Sequence, residues 1–182
     1  MIQSPPIMGM LRIGPHGLAI KDKRFERTIW DVQGTIVLEG AASIGSGSKI
    51  NVGLHAILKL GDKFMITGNS EIVCHKEITF GNNCLLSWDV LVMDTDFHSI
   101  VTYDGEIINN PKSIVFGNHI WVGCRSTILK GVHISDDNVI SANSTVTRDV
   151  DYTNSIIGGH GKSIGVIKSN VNLIVARPEY RS

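Results

Sequence analysis

Several absences narrow this 182-residue sequence before any motif is considered. Neither charge is in excess, since 17 Lys and Arg balance 17 Asp and Glu. That balance removes the electrostatic reason to expect nucleic acid or an anionic membrane as partner. The mixed-sign run KDKRFER at 21–27 reads as a solvated turn. Cys74, Cys84 and Cys124 form no CxxC pair and are odd in number, which argues against a disulfide frame or a zinc site. No stretch approaches the ~18 apolar residues of a membrane span. The opening MIQSPPIMGMLRIG lacks the charged start and continuous apolar core of a signal peptide. Nothing in residues 1–150 holds a capped helical stripe either. The expectation that remains is a cytoplasmic, single-domain, β-rich chain.

What is present fits that outline. Val and Ile are plentiful and glycine is abundant at 19, a combination suited to short strands and tight corners. The tract FGNHIW-VGCRST-ILKGVH-ISDDNV-ISANST-VTRDVD places Phe116, Val122, Ile128, Ile134, Ile140 and Val146 six apart without a slip. A small or polar residue follows in five of the six, Leu129 being the exception. The same spacing joins Val32, Leu38, Ile44, Ile50 and Ala56, then Leu60, Ile66, Ile72 and Ile78, then Phe80, Leu86 and Val92. Between these runs the phase shifts by a few residues, as inserted or tightened corners would make it do. Helices repeat at 3.6 and ordinary strands at two, so a period of six fits neither. It fits a column in which each hexad is one short strand plus one corner, three faces close a coil, and coils stack in parallel. One coil is too small to be stable, whereas a stack buries about 1.5–3 kcal/mol per Ile or Val.

The phase breaks once. Continued from Val92 it reaches His98, Asp104 and Asn110, none able to fill an apolar axis, before resuming at Phe116. Residues of about 94–113 are therefore expected to leave the column as a loop, with Asp104-Gly105 and Pro111 supplying turns. Loops of that length within a compact domain are usually functional or disordered.

On these residues, and above all on IVFGNHIWVGCRSTILKGVHISDDNVISANSTVTRDV at 114–150, the chain resembles the hexapeptide-repeat acyltransferases. The nearest likeness is to sugar and polysaccharide O-acetyltransferases of the maltose, galactoside and nodulation type. The resemblance implies an all-β fold, a left-handed parallel β-helix, with a handedness that periodicity alone does not give. The expected division is an N-terminal segment at 1–30, a β-helix domain at 31–158 with its loop at 94–113, and a C-terminal extension at 159–182.

It also implies chemistry. His98, in MDTDFHSI, stands where the family carries its catalytic histidine. A hydroxyl attacking a thioester must lose its proton, and neutral imidazole is suited to take it. Asp96, two residues earlier, would face the same side in an extended chain and could fix the ring's tautomer. Asp94 and Asp89 are alternatives for that role. Acetyl-CoA is the implied donor, held in a groove between subunits of a homotrimer, with no metal. Trp121, Gly123, Ser141 and Ala142 match positions lining that groove, and Arg148, Lys162 and Lys168 are the nearest cations for its phosphates. For the acceptor, a saccharide or nucleotide sugar, the candidates are Trp88, Asp94 and Asn69, with Trp121 able to stack on a sugar ring. His55, His75, His119 and His133 fall within repeats and read as surface or satisfied histidines; His160 lies in GGHGK. The tail IIGGHGKSIGVIKSN lacks the proline common in relatives, and the N-terminus lacks the helical acceptor-binding segment of simple-sugar enzymes. These departures favour a saccharide of surface polysaccharide over a free disaccharide. N-acetylation of an amino-sugar nucleotide, acetylation of a serine hydroxyl, and a non-catalytic or metal-binding β-helix remain as alternatives.

Overall fold

The computed structural model describes residues 2–5, 7–14 and 25–174. They build a three-faced column. The first face stacks Ile2–Gln3, Thr35–Leu38, Ile57–Leu60, Glu77–Phe80, Ile114–Phe116 and His133–Ile134. The second stacks Leu11–Gly14, Ala42–Gly45, Phe64–Ile66, Leu85–Leu86, Trp121–Val122, Asn138–Ile140 and Ser155–Gly158. The third stacks Ile29–Val32, Lys49–Val52, Glu71–Cys74, Leu91–Met93, Thr127–Leu129 and Thr145–Val146. These strands pair in parallel throughout the column. Among the strands of the described residues Gly165–Ser169 alone runs antiparallel, against Ser155–Gly158 at the C-terminal end. The fold is a left-handed parallel β-helix of hexapeptide repeats, all-β among the described residues but for one short 3-10 turn at Gly161–Ser163.

Nearly every in-phase apolar residue is buried in the column, Val32 alone being half-buried at its first coil. The phase shifts have a simple cause. Strands of the first face turn two side chains inward, as Ile78 and Phe80 show, so the spacing can be picked up from either. Coil length also varies: Ile44 pairs with Ile66 22 residues on, whereas Val122 pairs with Ile140 18 residues on. Inside the column Phe80 is stacked on Phe116 at 4.3 Å and tilted against Phe64 at 4.7 Å.

The corner between first and second faces explains the pairs Gly61-Asp62, Gly81-Asn82 and Gly117-Asn118, with Ser135-Asp136 in the fourth place. Each carries a side-chain oxygen that accepts the backbone N–H of the coil below: Asp62 from Ala41, Asn82 from Asp62, Asn118 from Asn82, Asp136 from Asn118, all at 2.7–2.9 Å. The next residue turns the chain through left-handed backbone, at Lys63, Asn83, His119 and Asp137. A Cβ on Gly81 would lie 2.5 Å from the Gly117 carbonyl oxygen, so the stacked corner admits no side chain there.

The column begins earlier than the expected residue 31, because strands at 2–3, 11–14 and 29–32 already form its first coil. The sequence missed this coil because its strands are joined by long connections that carry no hexad phase. Of the extension expected at 159–182, residues 175–182 lie outside the described residues.

Candidate active site

The loop leaves the column after Met93 and returns at Ile114, and its neck is closed by Lys112 N–H donating to the Asp94 carbonyl at 3.1 Å. Asp94 itself is fully buried. Its carboxylate accepts the backbone N–H groups of His75, Lys76 and Glu77 at 2.7–2.8 Å. Expected as an acceptor contact, Asp94 is instead an internal strut joining the loop to the coil below. Burial first, and then the Asp94 charge, push the Cys74 thiol up to about 12, which keeps it from acting as a thiolate.

Past the neck the chain makes a three-residue turn. His98 N–H donates to the Asp96 carbonyl at 2.7 Å, with Phe97 at φ 59° between them. A bulky residue in that region is unusual, and such backbone strain concentrates at functional sites. The Phe97 ring lies edge-on against His75, with centroids 4.9 Å apart. The turn overturns the premise of an extended chain, and with it the expected alignment of Asp96 with His98. The Asp96 carboxylate is engaged elsewhere: it accepts Asn109 Nδ2 at 2.8 Å and the Lys130 ammonium. The Lys130 hydrogen bond, then that of Asn109, holds the Asp96 carboxyl below the usual carboxylate range. Asn109 Nδ2 also donates to the His98 carbonyl at 2.8 Å. His98 therefore has both backbone groups fixed, while its exposed imidazole makes no hydrogen bond among the described residues. Beyond it, residues 100–102 and 106–108 form a small antiparallel arm.

The other candidates divide by corner. His98, Asp96, Asp94 and Arg148 lie where the third face turns into the first. Asn69, Trp88, Gly123, Ser141 and Ala142 lie where the second turns into the third. A strand of the third face, such as Thr127–Leu129, separates the two groups within one chain. Several of the second group are occupied. Asn69 donates to Glu26 at 2.9 Å, and Ser141 Oγ donates to the Ile157 carbonyl at 2.9 Å. A Cβ on Gly123 would meet the Ala142 nitrogen at 2.5 Å, so coil stacking alone requires that glycine. Trp121 is 38% exposed, its Nε1 donating to Ser87 Oγ at 2.9 Å; Trp88 is half-buried and Ala142 exposed. Arg148 donates to the Ile164 carbonyl and lines a cleft of about 510 Å³ with Asp149, Asp151 and Tyr152. Two carboxylates in that cleft make it a poor place for phosphate. Lys162 and Lys168, on the C-terminal extension, are exposed.

Sequence reasoning missed Asn109 and Lys130. The one signal was Leu129-Lys130 itself, the hexad that departs from the small-residue rule. Among the described residues no group of three His, Cys, Asp or Glu side chains could hold a metal, and no helix is long and apolar enough to cross a membrane.

The column and its loop define the class: a hexapeptide-repeat β-helix of the kind found in acetyltransferases. No family model matches the chain. It is 40% identical over 67 residues to the polysialic acid O-acetyltransferase of Neisseria meningitidis, covering 35% of this chain and 31% of that one. It is 34% identical over 95 residues to the galactoside O-acetyltransferase of Escherichia coli K12, covering 51% and 46%. Its structure is similar to that of a galactoside acetyltransferase in complex with coenzyme A, with a TM-score of 0.57, 26% identity, and coverage of 74% and 64%. The matches thus span less than half the length of both curated relatives.

Proposed function

We propose that this chain transfers an acetyl group from acetyl-CoA to a saccharide hydroxyl, with His98 as general base. The observation that carries the reading is an exposed imidazole whose backbone is fixed on both sides, on a loop that interrupts an otherwise regular column. The named relatives, O-acetyltransferases of polysialic acid and of galactosides, and the coenzyme A complex of the structural neighbour support it.

In this reading the imidazole takes the proton of the acceptor hydroxyl as its oxygen attacks the thioester carbonyl. The C–S bond breaks, and the proton passes from imidazolium to the departing thiolate. Such general-base help is typically worth ~10²–10⁴-fold in rate. Trp121 and Ala142, exposed on one edge, suit the amide-rich arm of the donor. Lys162 and Lys168 suit its phosphates better than Arg148, whose guanidinium is already engaged. Trp88 is kept as the acceptor-side contact.

We infer further that the active unit is a homotrimer with sites shared between subunits. The separation of the two residue groups by a whole face supports this, since a neighbouring subunit can bring one corner against another. A cytoplasmic place and a polysaccharide acceptor complete the reading. Replacement His98→Ala is expected to lower kcat by about 100-fold or more, while coenzyme A binding, measured by calorimetry, persists. Near-normal turnover in that variant would remove His98 from the mechanism.

A further inference from the structure

The hydrogen bonds that hold His98 converge on a side chain outside the loop. Asn109 Nδ2 bridges the His98 carbonyl and the Asp96 carboxylate, and Asn109 Oδ1 accepts Ile100 N–H at 2.6 Å. Lys130 then ties both to the column, its ammonium donating to the Asp96 carboxylate and to the Asn109 carbonyl at 2.7 Å. Lys130 belongs to the next coil, 34 residues beyond Asp96, and its side chain is only 19% exposed. Next to it Gly131 N–H donates to the Lys112 carbonyl at 3.2 Å, which brings the coil against the returning limb of the loop. We propose that Lys130 is a positioning residue for His98, locking the Asp96–Asn109 frame that presents the imidazole to the reacting atoms.

The chemistry of the cluster fits that role. One ammonium with three donors can serve a carboxylate and a carbonyl together, whereas an apolar side chain of the same length would serve neither. The Asp96 partner is 42% exposed, and an ion pair that reaches solvent in this way contributes little to stability. The effect expected is therefore geometric. A misplacement of about 1 Å in a reacting group can cost ~10²-fold in rate without unfolding anything. No hydrogen bond of the cluster reaches the imidazole itself; the bonds hold the backbone that carries it.

The kinetic part of this proposal rests on His98 being the base, and the test separates the two. Turnover of acetyl-CoA is measured with polysialic acid and with a simple galactoside as acceptors, for the native chain, His98→Ala, Lys130→Met and Lys130→Arg. In parallel, the His98 ring Cε1–H signal, assigned by its loss in His98→Ala, is followed by NMR. Lys130→Met is expected to lower kcat roughly 10–100-fold, with the KM for acetyl-CoA within about twofold of native. Lys130→Arg should recover most of the rate, and Asp96→Asn should add little to Lys130→Met, since both remove the Lys130–Asp96 ion pair. The His98 signal should be single and sharp in the native chain and broadened or multiple in Lys130→Met. A native kcat and an unchanged His98 signal in Lys130→Met, beside an inactive His98→Ala, would overturn the proposal. If His98→Ala is instead fully active, or no acceptor turns over, the base reading fails and the NMR signal alone judges Lys130. Should Lys130→Met not fold, Asn109→Ser probes the same frame from the loop side and is judged by the same kcat and signal.

Discussion

At the scale of single residues, three acidic or basic side chains within five positions do three different things. Asp94 is buried and satisfied by backbone, Asp96 belongs to a surface frame, and His98 is offered to solvent. Asp94→Ala would strand three backbone N–H groups, an expected loss of roughly 3–5 kcal/mol. Denaturant unfolding checks this; a midpoint like that of the native chain would show that water or another acceptor replaces the carboxylate. The sequence marked where the loop departs because His98 stood where an apolar axial residue was due, while its proposed role comes from the family resemblance. It could not sort the aspartates. Alternation along an extended strand would put Asp96 beside His98, but Phe97 takes left-handed backbone and cancels the alternation. The Lys130 contact was hidden for another reason: it joins residues that only the stacking of coils makes neighbours.

At the scale of elements, the strands are short and survive because each is shared by the coils on both sides. The aromatic stack is the heaviest case. Phe80 sits between Phe64 and Phe116 with 1% of its surface exposed. Phe80→Ala is expected to cost about 3–5 kcal/mol, read from chemical denaturation. A cost below ~1 kcal/mol would mean that the stack collapses to fill the cavity. The six-residue spacing made this core readable from Phe116 to Val146 without error, because each corner there is tight. It was less readable toward the N-terminus, where coils lengthen to 22 residues and corners hold extra turns.

At the scale of the molecule, the arm beyond His98 leaves Ile100, Val101, Tyr103, Ile107 and Ile108 exposed, with Phe97 at its base. So many exposed apolar side chains on one arm suit an interaction surface. We expect native mass measurement to give three chains, and serine at Ile100, Val101, Ile107 and Ile108 together to shift it toward one chain with the β signal intact. A folded monomer at assay concentration would sink the shared-site reading.

Phe80 pairs with Phe116 across 36 residues, where the coil above takes 18 between Phe116 and Ile134. The detour that carries His98 thus has the contour of one full circuit of the column. Between Phe80 and Phe116, chain length divided by that repeat of 18 counts two storeys where the column gains one. The column is shorter than that count by one strand spacing, about 4.8 Å, and the missing storey is the one that reaches outward.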